Sequence, residues 1–129
     1  MTKGYFTFVL HSHLPYVISH GQWPHGMDWL NEAAAETYLP LVDVFERVSN
    51  KLNGRIGVTI GVTPILAEQL ADERFKNSFP EYLDQKIAAA EENSSEFEQV
   101  GDSHKAYLAD LSLIHISEPT RPLYISYAV

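Results

Sequence analysis

The chain has 129 residues, 45% of them apolar and 20% charged, with 9 basic against 17 acidic side chains, no cysteine and a formal net charge of -8. That length suits one small soluble domain and excludes a complete (β/α) barrel, which needs roughly 200 residues or more. The missing cysteines exclude a disulfide framework or a thiolate metal centre, and the scattered basic residues argue against nucleic acid, leaving a neutral ligand such as a sugar as the better fit. Met1-Thr2-Lys3-Gly4 runs straight into an apolar stretch, without the basic and long apolar regions of a signal peptide. No apolar run approaches the ~20 residues of a membrane span. A cytoplasmic protein with no membrane partner is therefore expected; its oligomeric state is not legible.

The first element is an apolar run over residues 5–10 (YFTFVL), followed by His11-Ser12-His13 and Pro15. The run is short, aromatic and β-branched, which predicts a strand buried on both faces. Period-2 geometry puts His11 and His13 on one side of its end, with Ser12 opposite, and the proline stops the strand. In parallel α/β folds the functional groups gather at such carboxyl ends. His11 and His13 are accordingly candidate ligand-binding residues; the alternative is a pair of turn histidines satisfied by the backbone. A long loop follows, through Met27, with Gln22-Trp23-Pro24-His25 at its heart. An aromatic plate beside hydrogen-bonding groups is what sugar sites use, so Trp23 joins the candidates. The competing role for Trp23 is to lid the local core.

Asp28 reads as a helix N-cap, with the helix beginning at Trp29 and an apolar stripe of Trp29, Ala33, Tyr38, Leu41, Val44, Phe45 and Val48, interrupted by Glu36. Glu36 reads as solvated. Pro40 is expected to kink the helix or divide residues 29–38 from 41–50. Asn53-Gly54 is a stop signal. Residues 55–61 (RIGVTIG) predict a second buried strand. Thr63 caps the next helix, Pro64 occupies its first turn, and Ile65, Leu66, Gln69 and Leu70 form its face. Residues 72–107 favour helix, with a fresh start expected at Pro80 and a turn at residues 91–95. The strand–helix–strand–helix order predicts an α/β fold with a parallel βαβ unit and a right-handed crossover.

The last nineteen residues stand apart. LSLIHISEPTR, residues 111–121, resembles one reading frame of the adaptor used in transposon-based sequencing libraries, and ISYAV, residues 125–129, resembles the constant stretch after the sample index. Residues 111–129 are therefore expected to be a non-native tail, the natural protein continuing beyond Asp110. A genuine strand pair is the alternative, because both segments have high β-propensity.

GYFTFVLHSHLPYV, HGQWPHGMDWLNEAAAETYLPL and GVTPILAEQL together resemble the N-terminal part of glycoside hydrolase family 57, closest to its 1,4-α-glucan branching enzymes. His11, His13 and Pro15 match the family's opening His-x-His-x-Pro motif, and Thr63-Pro64 matches its second stretch. The resemblance spans residue 4 to about residue 107. It implies that residues 1–110 are the N-terminal β-α-β-α part of an incomplete (β/α)7 barrel. It further implies an α-1,4-glucan substrate, a retaining mechanism and no cofactor. The nucleophilic Glu and the acid/base Asp are then expected beyond residue 110, so no carboxylate of this chain is assigned a catalytic role and the fragment is expected to be inactive. Family amylase and glucanotransferase activities stay open. So does a metal-dependent deacetylase-like hydrolase, since His-x-His at a strand end also suits zinc. A non-catalytic sugar-binding module built on Trp23 fits buried parallel strands poorly.

Overall fold

The computed structural model describes the backbone of residues 4–126 and the side chains of residues 4–114 and 116. In chain order it comprises β1 (Phe8–Ser12), α1 (Met27–Ala33), a π-helical turn (Ala34–Tyr38), α2 (Leu39–Lys51), β2 (Val58–Val62), α3 (Pro64–Ala71), α4 (Glu73–Gln99) and α5 (Ser103–Ser126). β1 and β2 pair in parallel, with Phe8 opposite Val58, His11 opposite Gly61 and Ser12 opposite Val62. The α/β class and the parallel β-α-β unit follow the sequence expectation.

The strands differ from it in place and in burial. Each begins three residues later than expected, so His11 and Ser12 belong to the ladder itself. Neither strand is buried on both faces: Phe8 and Val9 are each 58% exposed, Ile60 40% and Val62 48%. The physical reason is that the described sheet has two strands and the core lies elsewhere. That core is made by the helices and by the segment after β1: Leu14, Val17, Ile18, Met27, Leu30, Ala34, Ala35, Leu66, Phe75, Phe79, Tyr82 and Leu83. Leu30 and Leu66 are fully enclosed, each contributing about 1.5–3 kcal/mol by leaving water.

α1 starts at Met27, and Asp28 is not its cap. Gly26 holds the N-cap position without a side-chain bond. The first helical N–H groups are satisfied by the loop's own carbonyls instead: Met27 donates to Gly21 (2.8 Å), Asp28 to Gln22 (3.2 Å) and Trp29 to Gly26 (3.1 Å). Asp28 still lies in the first turn, where the helix dipole favours a negative charge. The buried stripe is Met27, Leu30, Asn31, Ala34 and Ala35, one residue away from the expected one, and Trp29 is 39% exposed. Glu36 is exposed.

Pro40 neither kinks nor divides the helix. The five-residue π-helical turn Ala34–Tyr38 precedes it and leads directly into α2. A proline clashes with the carbonyl four residues back and brings no N–H; a π turn, bonding one residue further along, relieves that constraint. Asn53 (φ 51°) and Gly54 (φ 79°) end the helix as read from the sequence.

Thr63 stands at the α3 N-cap position in extended conformation (ψ 145°), but its hydroxyl makes no cap bond. Asp72 does cap α4, accepting from the Arg74 N–H at 2.8 Å. Pro80 does not start a helix and residues 91–95 do not turn: α4 runs unbroken for 27 residues. Its proline forgoes one bond, while Phe79 and Leu83 on either side anchor the helix in the core. Gly101 (φ 75°) reverses the chain into α5. The two helices are joined by a Ser94–Asp110 hydrogen bond of 2.7 Å and by Lys105 Nζ lying 5.6 Å from the Phe97 ring centre. α5 passes Asp110 without a break, so the strand pair considered for the tail does not form over residues 111–126. Residues 127–129 lie outside the described residues.

Candidate functional site

The carboxyl end of β1 is built by the sheet register. His11 stands beside Gly61, and a methyl group placed on Gly61 would lie 3.3 Å from the His11 Nδ1. The bare glycine therefore leaves room for the imidazole on the neighbouring strand. The ladder continues past the strands, where Thr63 N–H donates to the Ser12 carbonyl at 3.1 Å. His13 follows immediately and is exposed, as is His11.

The segment after His13 is not a free loop. Leu14, Val17 and Ile18 enter the helical core. Gln69 of α3, 1% exposed, grips the same segment by its backbone: Oε1 accepts from Val17 N–H at 2.6 Å and Nε2 donates to the Pro15 carbonyl at 3.0 Å. Both ends of one side-chain amide are thus used, as a neighbouring strand would use them. Sequence reading placed Gln69 on the α3 face without a role. The signal was an uncharged polar residue among Leu66 and Leu70 on an apolar face, where an unsatisfied amide would be costly.

Further along, the loop folds back on itself. A methyl on Gly26 would come within 2.8 Å of the Gln22 carbonyl and closer still to that of Gly21. Trp23, on this tight loop, is 73% exposed. It does not lid the core. The ring contacts of the loop are Tyr16 with His20 (6.2 Å) and His25 with Trp29 (5.5 Å), and Trp23 takes part in neither. The strand register thus fixes His11 and the following backbone, while Trp23 is presented on a separate turn.

A polar cluster borders the segment. Arg74 makes a two-point contact with Asp72, at 3.0 and 2.8 Å, and the Tyr16 hydroxyl pairs with Ser19 at 3.0 Å. The Arg74 guanidinium holds the Asp72 carboxyl down to about 2. Hydrogen bonds from Ser19 and then Arg74 lower the Tyr16 phenol. Two cavities lie away from the strand ends: an apolar groove of about 300 Å³ between Tyr38, Leu39, Phe75 and Leu83, and a polar one of about 330 Å³ by Glu32, Glu36, Tyr82 and Lys86. Burial, then the nearby carboxylates of Glu32, Glu36 and Asp28, raises the Tyr82 phenol. Among the described residues no three His, Asp or Glu side chains converge as a metal site, and no helix is long and apolar enough to cross a membrane.

A parallel strand pair that carries histidines at its carboxyl end and feeds a Thr-Pro helix start has the makings of a barrel-type hydrolase site. The comparisons name the class. The family model of glycosyl hydrolase family 57 matches residues 7–124, so the chain belongs to that family. The match crosses Asp110, the expected seam. A 1,4-alpha-glucan branching enzyme of Thermococcus kodakarensis is 53% identical over 91 residues, 70% of this chain and 13% of that protein. A probable branching enzyme of Mycobacterium tuberculosis is 39% identical over 92 residues, 71% of this chain and 17% of its own length. Among solved structures, the branching enzyme of Pyrococcus horikoshii superposes with a TM-score of 0.81 at 39% identity, covering 92% of this chain and 22% of its own. An alpha-amylase of Thermotoga maritima gives 0.72 at 25% identity, covering 94% and 22%. The chain therefore spans about a fifth or less of the relatives it matches.

Proposed function

We propose that this chain is the N-terminal part of a retaining α-glucan-active enzyme, a 1,4-α-glucan branching enzyme, in which His11, His13 and Trp23 contact the glucan. The observation that carries the reading is the seating of His11 beside Gly61 at the carboxyl end of a parallel strand pair, in a chain whose relatives bear that name. Retaining transfer needs two carboxyl groups flanking the glycosidic bond, about 5–5.5 Å apart, one attacking the sugar and one protonating the leaving oxygen. The proposal assigns both to residues beyond 110. A branching enzyme then hands the glycosyl intermediate to a glucan 6-hydroxyl rather than to water. Within that scheme His11 and His13 hydrogen-bond and orient the sugar whose bond breaks, and Trp23 offers its exposed ring to the apolar face of a sugar. By itself the chain carries orienting groups without the chemistry. A cytoplasmic location belongs to the same proposal.

The test uses the complete enzyme. His11→Ala and His13→Ala are each expected to slow glucan transfer by roughly ten- to a thousand-fold, about 1.4–4 kcal/mol, with the fold kept. Activity indifferent to both substitutions in a folded enzyme would sink the assignment. Loss of bound metal in both variants, with activity abolished by a chelator, would replace it with the zinc-dependent reading.

A further inference from the structure

His13 is held between two tethers, and both come from the second strand–helix unit. On its amino side, Ser12 is fixed by the Thr63 N–H at 3.1 Å. On its carboxyl side, Pro15 and Val17 are fixed by the side chain of Gln69, at 3.0 and 2.6 Å. Thr63 and Gln69 flank and belong to the same short helix, α3, so the two anchor points move as one body. We infer that Gln69 is a positioning residue: it holds the backbone after β1 so that the exposed imidazole of His13 is presented at the strand end in a fixed place.

The chemistry of the clamp favours this role over simple core filling. Leu14, Val17 and Ile18 already anchor the segment by burial, but apolar contacts allow it to slide by fractions of an ångström. Two hydrogen bonds from one planar amide set both position and direction. Burying that amide costs free energy unless both ends are bonded, so no other orientation of the segment satisfies Gln69 equally. A shift of about 1 Å at a substrate-orienting group is enough to cost on the order of a hundredfold in rate.

The inference rests on the glucan-binding role proposed for His13, and the experiment separates the two. In the complete enzyme, His13→Ala, Gln69→Met and the double variant are compared at a temperature well below unfolding. Gln69→Met keeps the volume and removes both bonds; Gln69→Glu, which keeps an acceptor for Val17 N–H and loses the donor to Pro15, is run beside it in case the first does not fold. Either single change at Gln69 is expected to lower kcat by about 5- to 50-fold, and the double variant to be no slower than His13→Ala alone, because residues acting through one another are not additive. Exchange of the Val17 amide with solvent deuterium should rise at least tenfold in Gln69→Met. Multiplying effects in the double variant, or an unchanged kcat in folded Gln69 variants while His13→Ala is slow, would overturn the inference and leave the role of His13 standing. Wild-type activity in His13→Ala would overturn both.

Discussion

The imidazole of His11 occupies space that only a glycine at position 61 leaves open: Nδ1 would lie 3.3 Å from a methyl group there, and the two residues are register partners across β1 and β2. The backbone of Gly61 does not lie in the left-handed region, so the restriction is one of space rather than conformation. Gly61→Ala asks the ring to give by a few tenths of an ångström, and Gly61→Val asks for more. In the complete enzyme we expect about a 3- to 10-fold loss of kcat/KM for alanine, about 0.7–1.4 kcal/mol, and a larger one for valine, with little change in melting temperature. Wild-type kinetics in Gly61→Val would show that the ring's seat has no bearing on activity.

Gly26 sits under a harder constraint. Its neighbours at that spot are backbone carbonyls, one at 2.8 Å from a would-be Cβ, and the same carbonyls serve the first N–H groups of α1. Gly26→Ala should therefore open the turn bearing Trp23 and destabilise the protein by about 1–3 kcal/mol, the usual cost of forced overpacking. Denaturant unfolding of the alanine variant measures it; a midpoint equal to wild type would mean that the turn has another low-energy closure.

Stability should fall in acid in a way that Asp72 helps to set. Its carboxyl is held down to about 2, first by the Arg74 side chain and then by the Arg74 N–H. A depressed folded-state value means that the contribution is present above the unfolded-state value of about 3.9 and is lost as pH falls through about 2. Asp72→Asn should thus melt below wild type at neutral pH, with the gap closing between about pH 4 and pH 2. Parallel melting curves across that range would contradict the assignment.

The tail gives a further expectation. α5 is continuous across Asp110, and Ile116 packs against the core only in part. If residues 111–129 are a non-native addition, ending the chain at Asp110 should cost no more than about 1 kcal/mol, the scale of one partly buried aliphatic side chain. Solubility and thermal unfolding of the two chains side by side decide it. A loss of several kcal/mol would make the distal half of α5 an integral element.

Much of this organisation was legible from residue types. Tyr5 to Leu10 announced a strand, Asn53-Gly54 a stop, and His11-Ser12-His13 a polar strand end, because each signal is local. What failed needed partners. The strand limits depend on which residues pair, so the ladder reached Ser12 rather than stopping at Leu10. Leu14, Val17 and Ile18 follow no period, and nothing in their spacing shows that a loop enters the core. Pro40 and Pro80 looked like breaks; tertiary packing and a π turn absorbed them. Gln69 was visible as a polar residue on an apolar face, but its two backbone partners lie more than fifty positions earlier in the chain.

The π-helical turn at Ala34–Tyr38 makes chain length, as well as residue identity, a structural variable here. It accommodates one more residue than an α-turn would between the buried face of α1 and Leu39 at the start of α2. Removing a single exposed residue such as Thr37 would let the segment close into plain α-helix, and everything after it would rotate by about 100° relative to α1. Tyr38 and Leu39 would then swing away from Phe75 and Leu83, although no apolar side chain had been changed. For the stretch from Met27 to Lys51, a one-residue deletion is a harsher change than most substitutions, and natural length variation should avoid it.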